Sequence, residues 1–173
     1  MRISLAFLAV LIGCAIAAPS ASAVTAKWWA CGKDASAKAA QAAGLPGAID
    51  ADPKLHDVFG DEKPTSILRL YRSYCADFDR DGDVDRAVSY ACCTVSSPGP
   101  YAILRHDPTG WATVYARLSD VVFRFAPHRG RLLAQSPKYG PSDANCCPGH
   151  IATRELRYSH GKWVGRVTVR RAR

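Results

Sequence analysis

Beyond Thr65 the chain is written as short runs of β-branched and aromatic residues, each closed by a turn that contains glycine. That pattern builds antiparallel sheet and little else. The runs fall in pairs: 66–75 with 86–95, 101–105 with 111–118, 121–125 with 131–136, and 151–158 with 163–169. Three of the intervening turns share a histidine and a glycine followed by a bulky apolar residue: His106 to Trp111, His128 to Leu132, and His160 to Trp163. Before the runs, Asp34 can cap a helix over 35–43 that Gly44 and Pro46 end, and 53–59 reads as a second short helix. The expected fold is α+β: a short N-terminal helical segment laid against a twisted antiparallel β-meander of about eight strands, stapled by disulfides.

The first 23 residues read as a cleavable secretion signal. Arg2 supplies a positive start, 3–18 is almost wholly apolar, and Ala21-Ser22-Ala23 is the small-x-small cleavage site. An apolar run of 16 residues falls short of the roughly 20 that span a bilayer. The competing signal is a lipobox at Leu11-Ile12-Gly13-Cys14, in which lipidated Cys14 would anchor the protein to a membrane. Either way the expected location is secreted, periplasmic or cell-envelope, and residues 24–173 form one exported domain.

That domain holds 22 basic and 15 acidic residues, yet ten consecutive residues, 77–86, contain five of the acids and only two of the bases. The rest of the surface is strongly basic, 20 against 10. A basic exported protein adheres to anionic envelope polymers or lipids, so an anionic envelope component is the expected partner. Nucleic acid is not, because export removes it and no recognition motif is present.

Six cysteines remain after cleavage: Cys31, Cys75, Cys92, Cys93, Cys146 and Cys147. An even number in an oxidising compartment predicts three disulfides. Neither adjacent pair has CxxC spacing, which argues against zinc and against a redox motif. With Cys92 and Cys93 on a strand, their side chains face opposite ways and go to different partners. The expected pairings are Cys31 with Cys75, and one of Cys92 and Cys93 with Cys146 or Cys147.

One segment carries specific chemistry. Asp77-Phe78-Asp79-Arg80-Asp81-Gly82-Asp83-Val84-Asp85 places a carboxylate at every second residue, with glycine at the sixth position. Calcium takes six to eight oxygens, and a tight acidic loop turns them onto one point. Gly82 allows the sharp bend and Val84 is expected to anchor the loop on the core. The twelfth position is Val88 where an EF-hand needs glutamate, and the flanks are strands. From Asp77 to Val88 the segment instead resembles the calcium loop of FG-GAP/VCBS repeats, Asp-x-Asp-x-Asp-Gly-x-x-Asp between two strands. That resemblance implies side-chain ligation by Asp77, Asp79, Asp81 and Asp85, and ligation by the backbone carbonyl of Asp83. Only one copy is present, so the propeller fold and adhesion of that family do not carry over. The C-terminal half, with Cys146-Cys147-Pro148 and Gly161-Lys162-Trp163, is similar to small exported bacterial proteins that have no assigned activity.

The catalytic motifs Gly-x-Ser-x-Gly and His-Glu-x-x-His and any phosphate loop are missing from the sequence. His56, His106, His128, His150 and His160 are scattered, and turn histidines are usually solvated. Trp28, Trp29, Trp111 and Trp163 read as packing rather than as a glycan-binding face. The sequence therefore points to an exported, non-catalytic calcium-binding module with a basic surface. The alternatives are a small secreted hydrolase with a structural calcium, and a disulfide-rich interaction or inhibitor domain.

Overall fold

The computed structural model describes residues 26–93, 97–144 and 146–172. The expected leader, its cleavage after Ala23 and the lipidation of Cys14 lie outside the described residues. The chain enters through a two-residue strand, β1 (Trp29–Ala30), and four short helices follow: α1 (Lys33–Ala42), α2 (Leu45–Asp50), α3 (Pro53–Phe59) and α4 (Pro64–Ile67). The remainder is strand: β2 (Arg69–Ala76), β3 (Asp85–Ala91), β4 (Tyr101–Asp107), β5 (Gly110–Arg117), β6 (Arg124–His128), β7 (Arg131–Lys138), β8 (His150–Ser159) and β9 (Lys162–Arg171). None of the helices described is long and apolar enough to cross a membrane.

The architecture is mostly β, with four short helices where the sequence promised a helical segment of two. The single meander also divides. β1 to β5 pair in order as one antiparallel sheet and β6 to β9 as another. A sheet this twisted gains more by stacking on itself than by continuing edge to edge. The break falls after β5, where Ser119-Asp120 carries the chain across. Tyr101 and Ile103 from the first sheet, with Phe78 from the connection between β2 and β3, meet Phe125, Leu132 and Leu156 from the second to form the core between them. The opposite face of the first sheet, with Val88, Tyr90, Ala102 and Leu104, is covered by Leu45, Ile49 and Leu55 of the helices. Alternate residues of β3 and β4 thus enter two different cores, which is why these strands are buried almost throughout.

Local chemistry explains the helices. Asp52 accepts hydrogen bonds from the backbone N–H of Lys54 (3.0 Å) and Leu55 (3.1 Å), capping α3. Gly44, at φ +69°, ends α1 as expected, but Pro46 opens α2 instead of blocking it, since proline in the first turn lacks only a donor that would be orphaned anyway. Asp34 is not the cap of α1. Gly32 holds that position with no side-chain bond, and Asp34 lies in the first turn. The β8–β9 hairpin turns on His160 (φ +51°) and Gly161 (φ +73°), the two left-handed residues of the tight turn that matches strand twist.

Cys31 and Cys75 are bonded, with Cα atoms 5.7 Å apart, and the bridge ties β1 and the start of α1 to β2. The other expected bridges do not form, and Cys92, Cys93, Cys146 and Cys147 are unpaired. The reason lies in where β3 stops. Its neighbour β2 begins at Arg69 opposite Ala91, and Tyr90 N–H already reaches across to the Pro100 carbonyl, so Cys92 and Cys93 fall beyond the ladder. Cys93 has φ +51°, and the two thiols lie against each other instead of on opposite faces of a strand.

Candidate metal centre

The acidic segment is the connection between β2 and β3, closed by the register pair Ala76–Asp85. Asp85 is the first residue of β3 and is fully buried. One of its carboxylate oxygens accepts the Phe78 N–H (3.1 Å) and the other accepts the His106 N–H of β4 (2.9 Å). A single carboxylate therefore fixes both the loop and the neighbouring strand. Asp77 accepts the N–H of Arg80 (2.6 Å) and of Gly82 (3.2 Å), and Asp81 accepts that of Asp83 (2.9 Å). The bend these bonds define passes through left-handed Arg80 (φ +66°) and Gly82 (φ +95°).

Oxygens of Asp77, Asp79 and Asp85 converge, all within 4.8 Å of one another. Two oxygens bound to one calcium ion at about 2.3–2.6 Å can be at most about 5.2 Å apart, so the cluster fits within a calcium coordination sphere. Asp79 Oδ1 is buried and has no hydrogen-bond partner, which marks it as the oxygen with unused capacity. The oxygens of Asp77 and Asp85 that accept N–H groups each keep a further lone pair. An all-carboxylate set of this kind suits a hard cation.

The structure separates the five expected ligands. Asp77, Asp79 and Asp85 come together, while Asp81 stays outside the group as the cap of Asp83. The Asp83 carboxylate turns away to the His106 ring (3.4 Å). His106, expected as a solvated turn residue, belongs to β4, and its ring packs on Trp111 at 4.7 Å. The anchor also differs. Val84 is 41% exposed, and Phe78 is the residue that enters the core, its ring 4.9 Å from both Tyr158 and Trp163 of the second sheet. Trp28 joins the same aromatic group through Trp163 (6.2 Å). Phe78 and Val84 are both apolar breaks in the acidic run. Only Phe78 brings the area of an aromatic ring, and that size was the sequence signal for the anchor.

Burial pushes the Asp85 carboxyl up to about 7, aided by the nearby charges of Asp79 and Asp81 and opposed by the two backbone donors. Asp79 is also raised, first by burial and then by the Asp81 charge. The folded protein therefore holds more protons here than the unfolded chain, and calcium-free stability falls as pH rises from about 4 to about 7. A cation on the carboxylates selects the ionised form and opposes that loss. Melting in chelator should drop between about pH 4 and about pH 7, and the increment given by calcium should grow over the same interval. Calorimetric scans across that range check both slopes.

No protein-family model, curated protein or solved structure matches this chain.

Proposed function

We propose that the protein is an exported, non-catalytic domain in which a calcium ion stiffens the β2–β3 connection and a basic surface meets an anionic component of the cell envelope. The observation that carries this reading is the convergence of Asp77, Asp79 and Asp85 around the unpartnered Asp79 oxygen. The likeness of the segment to FG-GAP/VCBS loops supports it, as does the flanking of the loop by two strands. Calcium would be held by these three carboxylates and would supply the charge that lets them ionise side by side. Asp81 and the backbone carbonyl of Asp83 complete the set implied by the resemblance. The chain's own residues then do the mechanical part. Asp85 links the loop to β4, and Phe78 pins it to the second sheet, so order at the ion is passed to both sheets.

Titration calorimetry with calcium tests the reading. Wild type should bind with a dissociation constant of about 10⁻⁴–10⁻³ M, as extracellular calcium modules do. Asp79→Asn removes charge from the converging set and should weaken binding at least about tenfold, equivalent to about 1.4 kcal/mol. Asp83→Asn, whose carboxylate faces His106, should change it less than about threefold. Equal losses in the two variants, or no heat with wild type, would contradict the site.

A further inference from the structure

The second sheet packs one face on the first sheet and leaves the other bare, and the charged side chains of the bare face are cationic with one exception. In β7 and β8, Leu132, Ala134 and Leu156 point into the core between the sheets. Their alternates Arg131, Glu155 and Arg157 therefore point outward. Pairing carries the alternation to both edges. Arg124 stands beside outward-facing Gln135, Arg166 beside Glu155 and Arg170 beside Ile151. Arg124, Arg131, Arg157, Arg166 and Arg170 are all exposed, and Glu155 is the only acid among the outward positions of the four strands.

Glu155 is already engaged by Arg131, and among the described residues no ion pair reaches the other four arginines. Arg131, Glu155, Arg157 and Arg166 close around a recess of about 110 Å³, room for one carboxylate or phosphate group. From the strand spacing and the rise per residue, Arg131 and Arg157 lie about 5 Å apart on adjacent strands, Arg166 about 8 Å from Arg157, and Arg170 about 13 Å further along β9. They form a trail that crosses β7 and β8 and then follows β9 to Arg170. Every cation of the trail is a guanidinium, the group whose planar fork meets oxyanions with two bonds.

We infer that this outward face is the docking surface for a linear anionic polysaccharide, centred on Arg157 and Arg166. The inference rests on the anionic-partner half of the proposed function and gives it a place and a chemistry. Charge complementarity selects an anion, and the trail of forks suits a chain of repeated charged groups better than a point anion. A lipid surface fits less well. Binders of bilayers present aromatic or bulky apolar side chains for insertion. No aromatic residue lies on the outward positions, where Leu133 and Ile151 are half-buried and Val164 is the exposed apolar residue.

Binding of the full protein to polygalacturonate in chelator, followed by calorimetry or polarisation, tests this. Wild type should bind, and Arg157→Ala with Arg166→Ala should weaken it at least tenfold (about 1.4 kcal/mol). Lys38→Ala with Lys54→Ala removes the same charge from helices on the far side of the first sheet and should cost less than about threefold. Arg157→Lys with Arg166→Lys keeps the charge but loses the forks and should fall between the two. All variants should melt like wild type. Equal loss in the two alanine pairs means that binding follows net charge and overturns the assignment of the face. Binding to phosphatidylglycerol vesicles, but not to polygalacturonate, overturns the polysaccharide. If wild type binds neither, the anionic partner falls with the docking surface, while the calcium titration still decides the metal site on its own.

Discussion

The variant Cys31→Ser with Cys75→Ser is expected to lose about 4 kcal/mol of folding stability. The bridge closes a loop of 44 residues in sequence, and the entropy that such a cross-link removes from the unfolded chain corresponds to about that figure at 25 °C. In a domain of this size the loss is a fall in melting temperature of about 10 °C. The surroundings of the bridge favour a clean test. Arg86 donates toward the Cys75 sulfur (3.3 Å) and to Ser36 Oγ (3.0 Å), and Ser73 Oγ lies 3.0 Å from the Cys31 sulfur, so a serine hydroxyl in either place finds polar neighbours. Thermal unfolding of the double variant and of reduced, alkylated wild type should agree. Unchanged melting in both would show that β1 and α1 are held by packing alone.

Asp85→Ala should be comparably damaging, for a different reason. The substitution removes the acceptor for two backbone N–H groups, those of Phe78 and His106. Each unsatisfied buried donor costs about 1–3 kcal/mol, so the pair costs about 2–6 kcal/mol. Asp85→Asn retains one carbonyl acceptor and sets an amide donor against the other N–H, and it should fall between alanine and wild type. Denaturant unfolding in chelator reads this structural part free of any metal. A loss below about 0.5 kcal/mol for Asp85→Ala would mean that water replaces the carboxylate and that Asp85 does not organise the loop.

Much of this was legible before the fold was seen, and the reasons are local. The helix at 53–59 was readable from Asp52-Pro53, a cap followed by a first-turn proline. The hairpin turns were readable because Arg129-Gly130 and His160-Gly161 can take the left-handed backbone. The Cys31–Cys75 bridge was anticipated, and the carboxylate spacing singled out the loop in which Asp77, Asp79 and Asp85 converge. What escaped was decided by tertiary structure. Every strand carries the same alternation, so nothing local says that β5 ends one sheet and β6 begins another. Pro46 reads as a stop in isolation and acts as a start because Leu45 and Ile49 have a sheet face to cover. Val84 was expected as the anchor, but Tyr158 and Trp163 supply a pocket that the larger ring of Phe78 fills. Cys92 and Cys93 looked like strand residues because the end of β3 is fixed by where its neighbours stop, information that lies twenty residues back at Arg69 and ten ahead at Tyr101.

Thermal melting of the wild-type protein in about 1 mM calcium and in chelator is the most direct measurement of whether the β2–β3 connection holds an ion. With a dissociation constant of about 10⁻⁴–10⁻³ M, linkage adds about 0.4–1.4 kcal/mol. The melting temperature should then rise by a few degrees in calcium and much less in magnesium. Asp79→Asn should abolish the rise, and Asp61→Asn, an exposed acid outside the loop, should preserve it. Identical melting of wild type in calcium and in chelator would contradict the calcium site and leave Asp77, Asp79 and Asp85 as the acidic turn of a hairpin.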